Sequence, residues 1–169
     1  MKLEMKSIKH SAFASQETYC YEGYVYIDGK KAIYVSNDGH GGADRQYTES
    51  NFPHTTIREV DEWCKENLPK WKMSSDYNDA EEYDTDFEMW CHNQVTKFIR
   101  RKDLKRDLNK CVIFFQDGEL MECRYKVKKL SGVHFNHFKI KNKGVKVILN
   151  EMPFEDAFKL YDEFLERAV

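Results

Sequence analysis

Proline is scarce, with three in 169 residues, and no apolar run approaches the roughly 20 residues that a bilayer-spanning helix needs. Where a secretory signal would carry an apolar segment, Lys2, Glu4 and Lys6 stand instead. These absences exclude a spanning helix, argue against secretion, and give the expectation of a cytoplasmic protein that does not engage membranes. The five cysteines (Cys20, Cys64, Cys91, Cys111 and Cys123) are odd in number, widely spaced and form no CxxC pair. A disulfide framework or zinc ribbon is thereby disfavoured, and free, mostly buried thiols are expected. GxSxG, HExxH, a kinase-type glycine loop and an EF-hand loop are all missing, which weakens an enzymatic reading without removing it. Neither a cofactor nor a metal is expected.

What is present suffices for a core. Hydrophobic residues make up 41% of the chain and aromatics 14%, while 33% charged residues imply a heavily solvated surface. The length suits a single domain over 1–169.

Periodicity predicts the elements. Tyr19 to Ile27 and Lys31 to Val35, dense in Tyr and Val, flank Asp28-Gly29 and read as a hairpin. Ser36-Asn37-Asp38-Gly39-His40-Gly41-Gly42 reads as a loop, because its three glycines and Asn-Asp pair suit turns rather than strands. A helix is expected after Pro53, with Thr56 and Glu59 as a capping box, Ile57, Val60, Cys64 and Leu68 on one face, and Pro69 ending it. Residues 70–85 lack periodicity and crowd Asp76, Asp79, Glu81, Glu82 and Asp84 together, which predicts a mobile acidic loop. A second capping box, Thr85 with Glu88, opens the longest helix, which places Phe87, Trp90, Cys91, Val95, Phe98 and Ile99 on one face.

Farther on, Cys111 to Phe115, Asp117-Gly118 and Leu120 to Val127 repeat the hairpin signature. Phe138-Lys139-Ile140 and Val145-Lys146-Val147 alternate apolar residues with lysine and predict two more strands. A closing amphipathic helix carries Phe154, Ala157, Phe158, Tyr161, Phe164 and Leu165. Strands and helices come in blocks, so the expected class is α+β: an antiparallel sheet built from hairpins and packed by about three helices.

The net charge of -2 hides a polarity. Between Lys97 and Lys146 fifteen basic residues face five acidic ones, a local +10 against -12 elsewhere. A face holding Arg100, Arg101, Lys105, Arg124 and Lys126 would neutralise phosphates, making nucleic acid one candidate partner. Lysine on a strand and Lys/Arg at a helix C-terminus are also ordinary solvent-facing choices, and no interleaved aromatics mark a stacking platform there.

One stretch groups residues suited to chemistry: Asn37, Asp38 and His40, with Asp44 beyond, set a general base and polar groups beside glycines that permit close approach. A small hydrolase centred on the 36–44 loop is the enzymatic alternative; the bland alternative is a sharp turn, which selects the same residues. The loop is not a P-loop, since the Lys-Ser/Thr pair is missing. His134 and His137 have metal-like spacing but no companion ligands nearby, and Cys91-His92 reads as packing rather than a nucleophile and base.

Ile8 to Ser15, running through Asp28-Gly29 to Ser36–Gly42, and the closing Leu149-Asn150-Glu151-Met152-Pro153-Phe154 resemble small, uncharacterised accessory proteins encoded by tailed bacteriophages. The resemblance covers about the first quarter and last tenth of the chain and brings no catalytic residues with it. It implies a product of the infected bacterial cytoplasm that acts by binding a host protein, in host takeover or anti-defence.

Overall fold

Both Asp-Gly pairs turn the chain where the sequence predicts hairpins. Asp28 and Gly29 take φ of 49° and 81°, and Asp117 and Gly118 take 52° and 89°. Two successive left-handed residues match the right-handed twist of the flanking strands, which is why these pairs are selected. The computed structural model describes residues 1–72, 81–126 and 129–167. Among them the fold is α+β, with nine strands in antiparallel sheets and four α-helices. Contacts divide the chain into two units, Met1–Phe98 and Ile99–Val169.

In the first unit, β1 (Leu3–His10), β2 (Cys20–Ile27), β3 (Lys30–Asp38) and β4 (Arg45–Thr48) form a sheet in sequence order. Strand alternation sorts its faces. Tyr21, Val25, Ile33 and Val35 are buried on one. On the other, Tyr24 pairs with Tyr34 and Tyr34 with Tyr47, while Lys9, Glu22, Ser36 and Arg45 align across all four strands. The unit's core also takes Val60 and Cys64 from α1 (Thr56–Asn67) and Phe87, Trp90, Cys91 and Val95 from α2 (Phe87–Asp107). The short strands β5 (Trp71–Lys72) and β6 (Glu82–Tyr83) pair, with Trp71 and Tyr83 stacked at 5.1 Å. Most of the acidic loop expected near 70–85, residues 73–80, lies outside the described residues.

The second unit is built on β7 (Cys111–Gln116), flanked by β8 (Glu119–Arg124) and β9 (Val147–Ile148). β7 is buried on both faces. Cys111 and Ile113 pack with Leu104 of α2, with Leu149, and with Ala157 of α4 (Phe154–Arg167). Val112 and Phe114 pack with Leu130, Ile148 and Phe138 of α3 (Gly132–Lys141). Asn150 ties the layers by accepting from the Ile113 N–H at 2.8 Å and donating to the Leu108 and Cys111 carbonyls at 3.0 and 2.9 Å.

Several sequence expectations are corrected. Residues 138–140, expected as a strand, lie in α3. Ser131 and His134 cap its first turn reciprocally, and Phe138 packs inward at 4.8 Å from Phe114, so helical side-chain burial overrides the Lys alternation. The strand expected at 145–147 shortens to β9. Neither predicted capping box forms. Thr55, not Thr56, precedes α1 and makes no side-chain cap bond. In α2, Asp86 caps by accepting from the Met89 N–H at 2.7 Å, while Thr85 donates to the Pro69 carbonyl at 2.5 Å. β3 also runs two residues past Ser36, with Asn37 paired to Tyr21.

Candidate functional site

The loop after β3 is organised by its own side chains. Asn37 is buried, 7% exposed. Its oxygen accepts from the Thr18 hydroxyl at 2.7 Å and the Gly39 N–H at 2.9 Å, and its amide donates to the Gly42 carbonyl and Asp44 Oδ1, each at 3.1 Å. All the hydrogen-bonding capacity of that carboxamide is thus engaged in holding residues 37–44. Only glycine fits at position 39: φ is +85°, and a Cβ would lie 2.3 Å from the Ala14 carbonyl oxygen. That carbonyl belongs to the 11–18 segment, which in turn donates the Gln16 and Glu17 N–H groups to the Gly39 oxygen at 2.9 and 3.0 Å. Asp38 is ion-paired with Arg45 at 2.6 Å, and His40 is exposed. The structure therefore brings the three sequence candidates near one another in chain but not onto a common reacting point.

A part-buried polar chain links this loop to α2. The Tyr21 hydroxyl donates to Asp44, and the Asp44 N–H donates to Glu88 at 3.0 Å. Burial pushes the Asp44 carboxyl above its ordinary range, against opposing hydrogen bonds from Tyr21 and Asn37. Burial likewise raises Glu88, with the Asp44 N–H working the other way. The Tyr21 hydroxyl is raised chiefly by burial and so remains a donor. Sequence reasoning missed Tyr21 and assigned Glu88 to a cap. The available signal was a tyrosine on the core-facing register of β2, whose hydroxyl needs a buried partner.

Other nucleophile and base pairings are absent from the described residues. The Ser15 hydroxyl donates to the Ser11 carbonyl at 2.8 Å and accepts from the Cys20 N–H at 2.8 Å. With that proton committed, His10 Nε2 at 3.2 Å is placed as a donor to Ser15, not as its base. Cys91 is buried and its thiol pushed well up by that burial; Cys64 is pushed up to about 12 for the same reason. Both are unreactive core thiols. His92 stacks on Tyr19 at 5.0 Å. His134 is occupied in capping α3, and among the described residues no group of His, Cys, Asp and Glu could hold a metal ion. No described helix is long and apolar enough to cross a membrane.

The outward face of the β1–β4 sheet has a different character. Tyr24, Tyr34 and Tyr47 form one row, with ring centroids 5.2 and 6.3 Å apart, and Tyr47 is 59% exposed. Lys31 lies over the Tyr24 ring at 3.4 Å and Lys6 over Tyr26 at 4.7 Å. Around the row the charges are matched: Lys6 with Glu4 at 3.0 Å, Lys9 with Glu22 at 2.7 Å, Lys31 with Glu49 at 3.1 Å and Arg45 with Asp38. A cleft of about 360 Å³ opens at one end, lined by Lys9, His10, Cys20, Glu22, Asp38 and Arg45 among others.

The expected basic face fares unevenly. Arg100 pairs with Asp162 at 2.9 Å, and the side chains are only 20% and 10% exposed. Arg101 pairs with Glu155 and lies over the Phe154 and Phe158 rings at 4.9 and 5.2 Å. Arg124 pairs with Glu122 at 3.3 Å. Of the five expected cations, only Lys105 and Lys126 stand exposed without an ion pair among the described residues. Three of the five cations already have carboxylate partners, so their charge is largely matched within the unit.

Comparison of the chain with protein-family models, with curated proteins and with solved structures finds no match.

Proposed function

We propose that this chain is a non-catalytic accessory protein that works by binding another protein through the tyrosine face of its first sheet. The supporting observation is the row Tyr24, Tyr34 and Tyr47 on a solvent-facing surface whose flanking charges are already matched. Tyrosine offers large, rigid contact area at small entropic cost and dominates protein interfaces, while paired charges form the polar rim. A matched rim gives little net attraction for a phosphate backbone, which favours a protein over nucleic acid at this face. The cleft beside Cys20 and Glu22 would receive an anchoring side chain of the partner.

The resemblance to phage accessory proteins supports a host protein as that partner, met in the cytoplasm of an infected bacterium. The 37–44 loop supports the same reading: Asn37 and Asp38 hold structure, and among the described residues the exposed His40 ring has no hydrogen-bonded partner to share chemistry with. The test is a tagged capture from bacterial lysate, with and without nuclease, run in parallel for the native chain, Tyr47→Ala and His40→Ala. Support is a protein recovered in near-equal amount, retained after digestion and by His40→Ala, and lost with Tyr47→Ala. Recovery indifferent to Tyr47 overturns the assignment of this face.

A further inference from the structure

From Tyr125 to Asn150 the sequence contains seven lysines and no aspartate or glutamate. The structure separates these lysines from the arginines upstream. Arg100, Arg101 and Arg124 are each paired with a carboxylate, and Arg106 with both Asp103 and Asp107. Among the described residues no carboxylate pairs with Lys126, Lys129, Lys141, Lys143 or Lys146, and all five are exposed. Among the described residues, unmatched exposed lysines therefore stand both at the end of α2 (Lys102, Lys105 and Lys110) and, in larger number and with no carboxylate in the surrounding sequence, around α3 and β9.

The fold also gives this charge a concave shape. Between the end of α3 and β9 lies a cleft of about 410 Å³ lined by Lys139, Asn142, Lys143, Val145, Lys146, Ile148 and Glu151. Glu151 pairs with Lys139 at 2.5 Å, leaving Lys143 and Lys146 unopposed. The C-terminal end of a helix disfavours anions, by the equivalent of about half a charge. Here the Asn142 backbone N–H and side-chain amide both donate to the Phe138 carbonyl at 2.9 Å, and two unmatched ammonium groups exceed half a charge.

We propose that the α3–β9 cleft, with Lys143 and Lys146 in its lining and Lys141 at the adjoining end of α3, is a binding site for the phosphate backbone of a nucleic acid, read without regard to sequence. Lysines act as point charges rather than bidentate forks, which suits tracking of phosphates over recognition of bases. An anionic membrane is the poorer fit. The exposed apolar residues of α3 are Val133 and Ile140, and they lack the aromatic and leucine face of an interfacial helix.

The experiment is fluorescence anisotropy of the full chain with a labelled random-sequence oligonucleotide, single-stranded and duplex, from 50 to 200 mM salt. With about four phosphates neutralised, affinity falls about 100-fold across that range. Lys143→Gln with Lys146→Gln weakens binding about tenfold or more at the low-salt end and reduces the salt slope by about two, whereas Lys30→Gln on the first unit changes neither. Absence of binding, salt-independent binding, or a double variant indistinguishable from native would each overturn the proposal. So would binding to phosphatidylserine vesicles with none to either oligonucleotide. Both lysines are exposed, so an unchanged circular dichroism spectrum keeps the comparison interpretable.

Discussion

Replacing Asn37 with alanine removes the four hydrogen bonds that its carboxamide makes in the 37–44 loop. The Gly39 N–H is left buried without an acceptor, whereas the exposed Gly42 carbonyl can rehydrate. One fully orphaned donor costs about 1–3 kcal/mol and the partly solvated partners add less, so the expected loss is about 2–4 kcal/mol. All three tryptophans, Trp63, Trp71 and Trp90, belong to Met1–Phe98, so their fluorescence follows this unit alone. With a urea dependence of about 1–3 kcal/mol per molar, the midpoint drops by about 1–2 M. Asn37→Asp keeps the acceptor oxygen but turns the other atom against the Gly42 carbonyl and Asp44. Its deficit should therefore be larger at pH 7 than at pH 4. A loss under about 0.5 kcal/mol for Asn37→Ala would refute the view that this residue is the loop's framework.

Further expectations concern the same unit. Gly39→Ala forces a Cβ against the Ala14 carbonyl at positive φ and should cost about 1–3 kcal/mol in backbone strain alone, measured by the same tryptophan transition. Because burial raises the Glu88 carboxyl, its folded-state pKa exceeds the unfolded value, and its contribution is lost as pH rises through the folded pKa. Glu88→Gln keeps an acceptor for the Asp44 N–H, so the variant should match native at pH 4 and gain on it toward pH 7 in thermal melts. A brief thiol-alkylation pulse read by mass spectrometry should label Cys20 and Cys123 first, with Cys64, Cys91 and Cys111 labelled only on unfolding.

Much of the architecture was legible because local chemistry and burial agree. Asp28-Gly29 and Asp117-Gly118 have few alternatives to a tight hairpin turn, and the apolar spacing of α1, α2 and α4 matches their buried faces. The expectation failed where two local codes competed. The alternation Phe138-Lys139-Ile140 fits a strand, but Ser131 with His134 starts a helix and Phe138 finds Phe114 only from that helix. Thr85 and Glu88 match a capping box, yet Asp86 lies nearer the exposed N–H groups and frees Glu88 to reach Asp44. β1 was missed because Lys2, Glu4 and Lys6 read as merely polar, whereas Glu4 and Lys6 stand on its register beside the tyrosines of β2.

The candidate surface was harder to see. Asn37, Asp38 and His40 drew attention as chemically capable groups, but only the folded chain shows the first two engaged in holding the loop. The tyrosines of β2, β3 and β4 were read separately as strand formers, and nothing in their spacing reveals that Tyr24, Tyr34 and Tyr47 meet in one row. That alignment is a matter of register between strands distant in sequence.

The central claim is tested most directly by the affinity of the purified chain for its captured protein partner, measured by calorimetric titration for native, Tyr47→Ala and His40→Ala. A weakening of about 30-fold or more for Tyr47→Ala, matching about 2 kcal/mol at an interface centre, with His40→Ala unchanged, is the predicted result. Native affinity in Tyr47→Ala, or its loss in His40→Ala alone, would contradict the account and return attention to the 36–44 loop.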